Sequence, residues 1–105
     1  MEPEDSSTEL FDADALEGAV VRLRRNADRI RPLGAPGDKL LSDYLTDRKI
    51  DRPLRETLPL VAAGNRILWV CGVGIAHEAR IQPDTQRTVR LKIHFITDEE
   101  PEVLS

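Results

Sequence analysis

Read for the spacing of its apolar and polar residues, the chain falls into short alternating runs around one helical run. The most regular alternation is Thr88 to Ile96, where Val89, Leu91, Ile93 and Phe95 share one side. A two-residue period predicts a half-buried strand. Ala19 to Arg25 alternates as well: Val21 and Leu23 are expected inward, with Arg22 and Arg24 as a basic outer face, for which edge protection is the other reading. Leu10 to Ala15 reads as a shorter strand, weakened by Asp12 and Asp14. Leu60 to Ala63 and Arg66 to Val70 flank Gly64-Asn65, a pair suited to the positive φ angles of a two-residue hairpin turn. Ile67 and Trp69 are expected on opposite sides of it. Gly72-Val73-Gly74 then breaks the run.

One segment has a helical period. From Lys39 to Lys49, Leu41, Tyr44 and Leu45 share a face, with Asp38 placed as the expected N-cap and Arg48 and Lys49 near the dipole's negative end. Before it, Arg31 to Gly37 holds two prolines and two glycines, which predicts an ordered loop. Arg52-Pro53 opens a second short helix that Pro59 ends. The expected fold class is α+β: a small mixed or antiparallel sheet, or sandwich-like core, with a main helix over about 39–49 and a short one over about 53–57. An acidic lead-in (1–9) and an acidic tail (97–105) are expected to flank a single domain (10–96).

Composition bounds the function. A chain of 105 residues builds one domain with one modest core. No apolar run approaches the roughly 20 residues that cross a bilayer. The acidic N-terminus does not read as a secretory signal. Cys71 stands alone, so no disulfide closes within the chain, and the cytoplasm is the expected compartment. The formal net charge of −4 conceals a segregation. All fifteen Lys and Arg lie between Arg22 and Lys92 with eight acids, so this stretch carries +7. A basic body between acidic ends suits a polyanionic partner, although a solvated surface has the same composition.

Catalytic chemistry is sparse. Gly72-Val73-Gly74 lacks the third glycine of a dinucleotide fingerprint and the Lys-Ser/Thr of a P-loop, so it reads as a bend. Cys71, His77 and His94 have no metal-ligand spacing. Cys71 reads as a buried thiol and His77 as a surface histidine. Ser42 and Asp43, adjacent on a helix, do not face each other and make no nucleophile–base pair. The basic residues remain. Arginine outnumbers lysine twelve to three, and its planar fork grips phosphate at two points. The four aromatics, Phe11, Tyr44, Trp69 and Phe95, all sit in apolar patterns. Single-stranded RNA is bound by exposed stacking aromatics, whereas an RNA helix is gripped through phosphates and 2′-hydroxyls. The pattern fits duplex RNA. Packing against a partner protein or a second copy remains the other reading.

At this point a family resemblance appears. Asp28-Arg29-Ile30-Arg31-Pro32-Leu33-Gly34, then Lys39-Leu40-Leu41-Ser42-Asp43-Tyr44-Leu45-Thr46-Asp47-Arg48-Lys49-Ile50, and later Pro53-Leu54-Arg55 and Ile67-Leu68-Trp69-Val70, resemble the C-terminal region of bacterial tRNA(Ile)-lysidine synthases. The likeness covers roughly residues 10 to 95. Two departures are visible: Ala27 where the family usually has Gly, and Asp51 where it usually has Pro. The resemblance implies a parent ligase that uses ATP to attach lysine to the wobble cytidine of a minor isoleucine tRNA. That chemistry lies in an N-terminal domain with a Ser-Gly-Gly-x-Asp-Ser loop, which this chain lacks. No catalytic residue, metal or cofactor is therefore expected here, and ATP and lysine belong to the parent's other domain. The implied partners are the tRNA(Ile) acceptor stem and the N-terminal catalytic domain, with a homodimer under the second reading. The expected tRNA contacts are Arg22, Arg24, Arg29, Arg31, Lys39, Arg48, Lys49, Arg52 and Arg55. For each the other reading is a structural ion pair. Arg29 would be the more structural of Arg29 and Arg31 if it paired with Asp47.

Overall fold

Leu60 to Ala62 and Ile67 to Val70 are apolar on both faces because they lie between two core clusters. The computed structural model describes residues 6–94. In chain order these form β1 (Ser6–Asp12), a 3-10 turn (Ala13–Leu16), β2 (Val20–Arg22), β3 (Arg29–Ile30), β4 (Lys39–Leu40), α1 (Leu41–Asp47), α2 (Arg52–Arg55), β5 (Leu60–Ala63), β6 (Arg66–Val70), β7 (Gly74–Ile75), a second 3-10 turn (His77–Ala79) and β8 (Thr88–His94). The larger sheet runs β2-β5-β6-β3-β4, with β7 also on β6. The β3–β6 pairing is parallel and the others are antiparallel. β1 and β8 form a separate antiparallel ribbon. This is the expected α+β fold with a mixed sheet.

The hairpin divides the core in two. Ala62 pairs with Ile67 and Val61 with Trp69, so Leu68 is the extra residue of a β-bulge. The bulge sends Ile67 into a cluster with Leu41, Tyr44 and Leu45 of α1. It sends Leu68 and Trp69 into a second cluster with Phe11 of the ribbon. Phe11 meets Trp69 edge-to-face at 5.3 Å, an arrangement that adds about 1 kcal/mol to simple burial. Phe11, Tyr44 and Trp69 are all buried, as expected; Phe95 lies outside the described residues. At the turn only Gly64 takes a positive φ (62°), and Asn65 does not.

Several boundaries differ from the expectation. β1 starts at Ser6, so Ser6 to Glu9 are strand, and the start of the lead-in lies outside the described residues. The main helix spans Leu41–Asp47 and not 39–49, because Lys39 and Leu40 pair with Ile30 and Arg29 as β4. Asp38 caps nothing and pairs with Arg66 instead. α1 starts where the Leu41 N–H donates to the Asp28 carbonyl at 2.8 Å. It ends in a Schellman motif: the Ile50 N–H donates to the Leu45 carbonyl and the Lys49 N–H to the Thr46 carbonyl. Lys49 holds the left-handed position at φ 59°, where glycine is usual.

The largest correction concerns β2. Val21 and Leu23 point to solvent, with relative exposures of 63% and 53%. Arg22 turns inward, with only 9% of its side chain exposed. A local ion pair with Asp28 overrides the expected alternation.

Candidate nucleic-acid interface

β3 places two arginines on one side. Ile30 is buried, so the flanking Arg29 and Arg31 project the other way. Beside them the parallel ladder sets Arg66 opposite Arg29. Together with Pro36, Gly37, Asp38 and Glu78 they line an open cleft of about 650 Å³.

Arg66 is held across this cleft. It donates to Asp38 at 3.0 and 3.3 Å and to Glu78 at 2.9 and 3.1 Å. Those hydrogen bonds push its guanidinium pKa well up. The same contact, with the fields of Arg66, Arg29 and Arg31, holds the Asp38 carboxyl below the usual carboxylate range. Arg66 binds both oxygens of Asp38 and Oε2 of Glu78, while Oε1 of Glu78 has no hydrogen-bond partner among the described residues. Arg29 has no side-chain partner among the described residues, and Arg31 donates only through Nε, to the Ala35 carbonyl at 2.8 Å. Arg29 does not pair with Asp47, which is taken by Lys39 at 2.5 Å. Two guanidiniums thus face an open cleft with their forks available, a geometry suited to phosphate oxygens.

The loop that carries Arg31 is ordered, as its composition requires. Pro32 bridges to Ala76, and the Ala35 N–H closes a turn on the Pro32 carbonyl. Gly34 supplies a φ of 80°, and its N–H donates to Nδ1 of His77 at 3.0 Å. His77 lies at the surface, as expected, and also braces the loop through this hydrogen bond.

The other expected contacts fall into two groups. Arg22, Arg24 and Lys39 are engaged within the protein. Arg22 donates to both Asp28 oxygens and to the carbonyls of Leu23 and Gly64. Both terminal nitrogens of its fork are used in these contacts. Arg24 pairs with Glu56 at 2.7 Å. It and Lys39 are in exposed pairs of the kind worth about 0–1 kcal/mol, which an incoming anion can displace.

Arg48, Lys49, Arg52 and Arg55 cluster where α1 ends and α2 forms. Arg48 lies 4.7 Å over the Tyr44 ring, and Arg55 donates to the Ile50 carbonyl at 2.8 Å. Lys49 and Arg52 are exposed. The structure therefore brings Arg29 and Arg31 together and leaves this second group at a different end of α1. Sequence reasoning missed Arg66. Its partner across the ladder lies 37 positions away, and no local pattern encodes that register.

The family model of the TilS substrate C-terminal domain matches residues 19–93. The chain belongs to the TilS substrate C-terminal domain family. It is 42% identical over 86 residues to the tRNA(Ile)-lysidine synthase of Symbiobacterium thermophilum, covering 79% of this chain and 17% of that protein. It is 33% identical over 90 residues to the tRNA(Ile)-lysidine synthase of Clostridium tetani, covering 85% of this chain and 19% of that protein. Among solved structures it resembles a crystal structure of a TilS C-terminal domain, with TM-score 0.65 and 31% identity over 82% of this chain and 67% of that one. The chain thus spans about a fifth of the length of these relatives. The TilS C-terminal match takes in every residue of the arginine cleft. No helix among the described residues is long and apolar enough to cross a membrane.

Proposed function

We propose that this TilS C-terminal domain grips the acceptor stem of a minor isoleucine tRNA, while the N-terminal domain of its parent enzyme ligates lysine to the wobble cytidine with ATP. The observation that carries the reading is the cleft of Arg29 and Arg31. Its two acids are both bound to Arg66, its three arginines against two acids leave a net charge of +1, and the forks of Arg29 and Arg31 are open to a ligand. Phosphate oxygens are the complementary ligand. The buried Phe11, Tyr44 and Trp69 agree, since among the described residues no aromatic stacking platform is offered to unpaired bases. The fragment needs no catalytic residue for this role; ATP and lysine are handled in the parent's other domain, in the cytoplasm.

Titration of an acceptor-stem minihelix across a salt series tests the reading. Log affinity should fall with log salt at a slope near −3 to −5, as for about four to six phosphate contacts. Absence of binding at low salt would count against it.

A specific observation favours a second reading. β2 is at the edge of the larger sheet and leaves Val20, Val21 and Leu23 more than half exposed. Such an edge suits packing against the parent's other domain or a second copy. Light scattering distinguishes the two cases: a stable, salt-insensitive dimer would support self-association.

A further inference from the structure

The Arg31 loop is held by one residue at two points. The His77 backbone N–H donates to the Arg31 carbonyl at 2.8 Å. The His77 ring accepts from the Gly34 N–H at 3.0 Å through Nδ1. The second contact requires an unprotonated Nδ1, because imidazolium has only donors. Within the loop, Arg31 is itself tied back through Nε to Ala35. The direction of its guanidinium therefore follows the loop's shape.

We propose that His77 is a positioning residue for the arginine cleft, latching the Arg31–Gly37 loop in the shape that presents Arg31, and that the latch opens when the ring takes up a proton. This rests on the reading of the cleft as an RNA-binding surface. The groups around the ring favour the closed state at neutral pH. Arg31 faces it from the loop and Arg80 from the end of its own turn, and both oppose a positive ring. Glu78, its neighbour in the turn, favours one but is bound to Arg66. Arg66 is shared with Asp38, so the only other acid of the cleft is also engaged. Desolvation and the two arginines hold the ring below the ordinary histidine value. Protonation would remove the Gly34 acceptor and set a third positive charge against Arg31 and Arg80. Acidification should then weaken RNA binding through this loop, the reverse of a histidine that touches phosphate directly.

The test uses the 105-residue chain, wild type and the variants His77→Asn and His77→Ala, with an acceptor-stem minihelix between pH 5.5 and 8. An asparagine carbonyl replaces Nδ1 as an acceptor that does not titrate. At pH 7.5, H77A should bind about fivefold more weakly, the loss expected for one hydrogen bond, and H77N should bind as wild type does. On acidification the wild type should weaken relative to H77N. Equal binding by H77A and wild type, weak binding by H77N, or tighter wild-type binding at low pH would overturn the latch. If wild type and variants all fail to bind the minihelix, the RNA reading falls, and hydrogen exchange of the Gly34 amide judges the latch separately. Faster exchange in H77A but not in H77N supports it, and equal rates in all three overturn it.

Discussion

Arg22 and Asp28 form the most enclosed ion pair among the described residues, with 9% and 2% of their side chains exposed. Two guanidinium nitrogens reach the two carboxylate oxygens at 3.0 and 2.8 Å. Asp28 also accepts the Arg25 N–H at 2.8 Å, and its own carbonyl starts α1. One acid thus ties β2, the Arg25–Asp28 turn and the helix together.

Asp28→Ala should therefore unfold at a lower urea concentration, by about 3 kcal/mol or more, because it leaves a buried guanidinium without its counter-charge. A loss under 1 kcal/mol would show that the pair is dispensable. The pair also sets a pH dependence. Burial opposes the carboxylate, but the hydrogen bonds from Arg22 and Arg25 outweigh it and hold the carboxyl below its usual value. A depressed acid contributes stability above its unfolded value of about 3.9 and loses it as pH falls through the folded value. The wild type's advantage over Asp28→Ala should be constant above about pH 5 and shrink below about pH 4.

Two non-glycine residues hold left-handed backbone, Ala27 at φ 73° and Lys49 at φ 59°. Ala27→Gly and Lys49→Gly should each raise stability by about 1 kcal/mol, since the left-handed conformation costs a side-chain-bearing residue about that much. Thermal denaturation of the two variants checks this, and a lowered Tm in both would contradict it.

Gly74 is fitted against Tyr44. A Cβ at Gly74 would lie 2.5 Å from the Tyr44 Oη, and the ring is fixed beneath Arg48. Gly74→Ala should cost about 1–3 kcal/mol by overpacking. The Tyr44 hydroxyl is buried and has no hydrogen-bond partner among the described residues, so Tyr44→Phe should be nearly neutral. It should also recover part of the Gly74→Ala loss, which a double-mutant cycle would measure as coupling. Strict additivity would refute the contact.

Cys71 is buried, and that burial pushes its thiol up to about 11. It should resist alkylation at pH 8 in the folded protein and react in denaturant, as followed by intact mass. Fast labelling of the native chain would contradict this.

The fold was legible where periodicity had length to act. β5, β6 and β8 carry runs of four to seven residues, and the Gly64 turn joins two of them. β3, β4 and β7 are two residues each, too short for any period, so Lys39 and Leu40 read as helix. At β2 the alternation was real but its direction was set by Asp28, six residues away. For the site, the local run Arg29-Ile30-Arg31 carried the cleft's two open guanidiniums. Arg66 and Glu78 reach the same cleft, and His77 the loop that carries Arg31, through long-range contacts that no nearby pattern announces.

The most direct test of the central claim compares two double variants for minihelix binding across salt. Arg29→Ala/Arg31→Ala removes the open guanidiniums, and Arg24→Ala/Lys39→Ala removes two that are already paired. The account predicts that the first loses at least about tenfold in affinity and reduces the salt slope by about one per arginine, and that the second changes both less. Unchanged affinity and slope in Arg29→Ala/Arg31→Ala would contradict the assignment of this cleft to RNA.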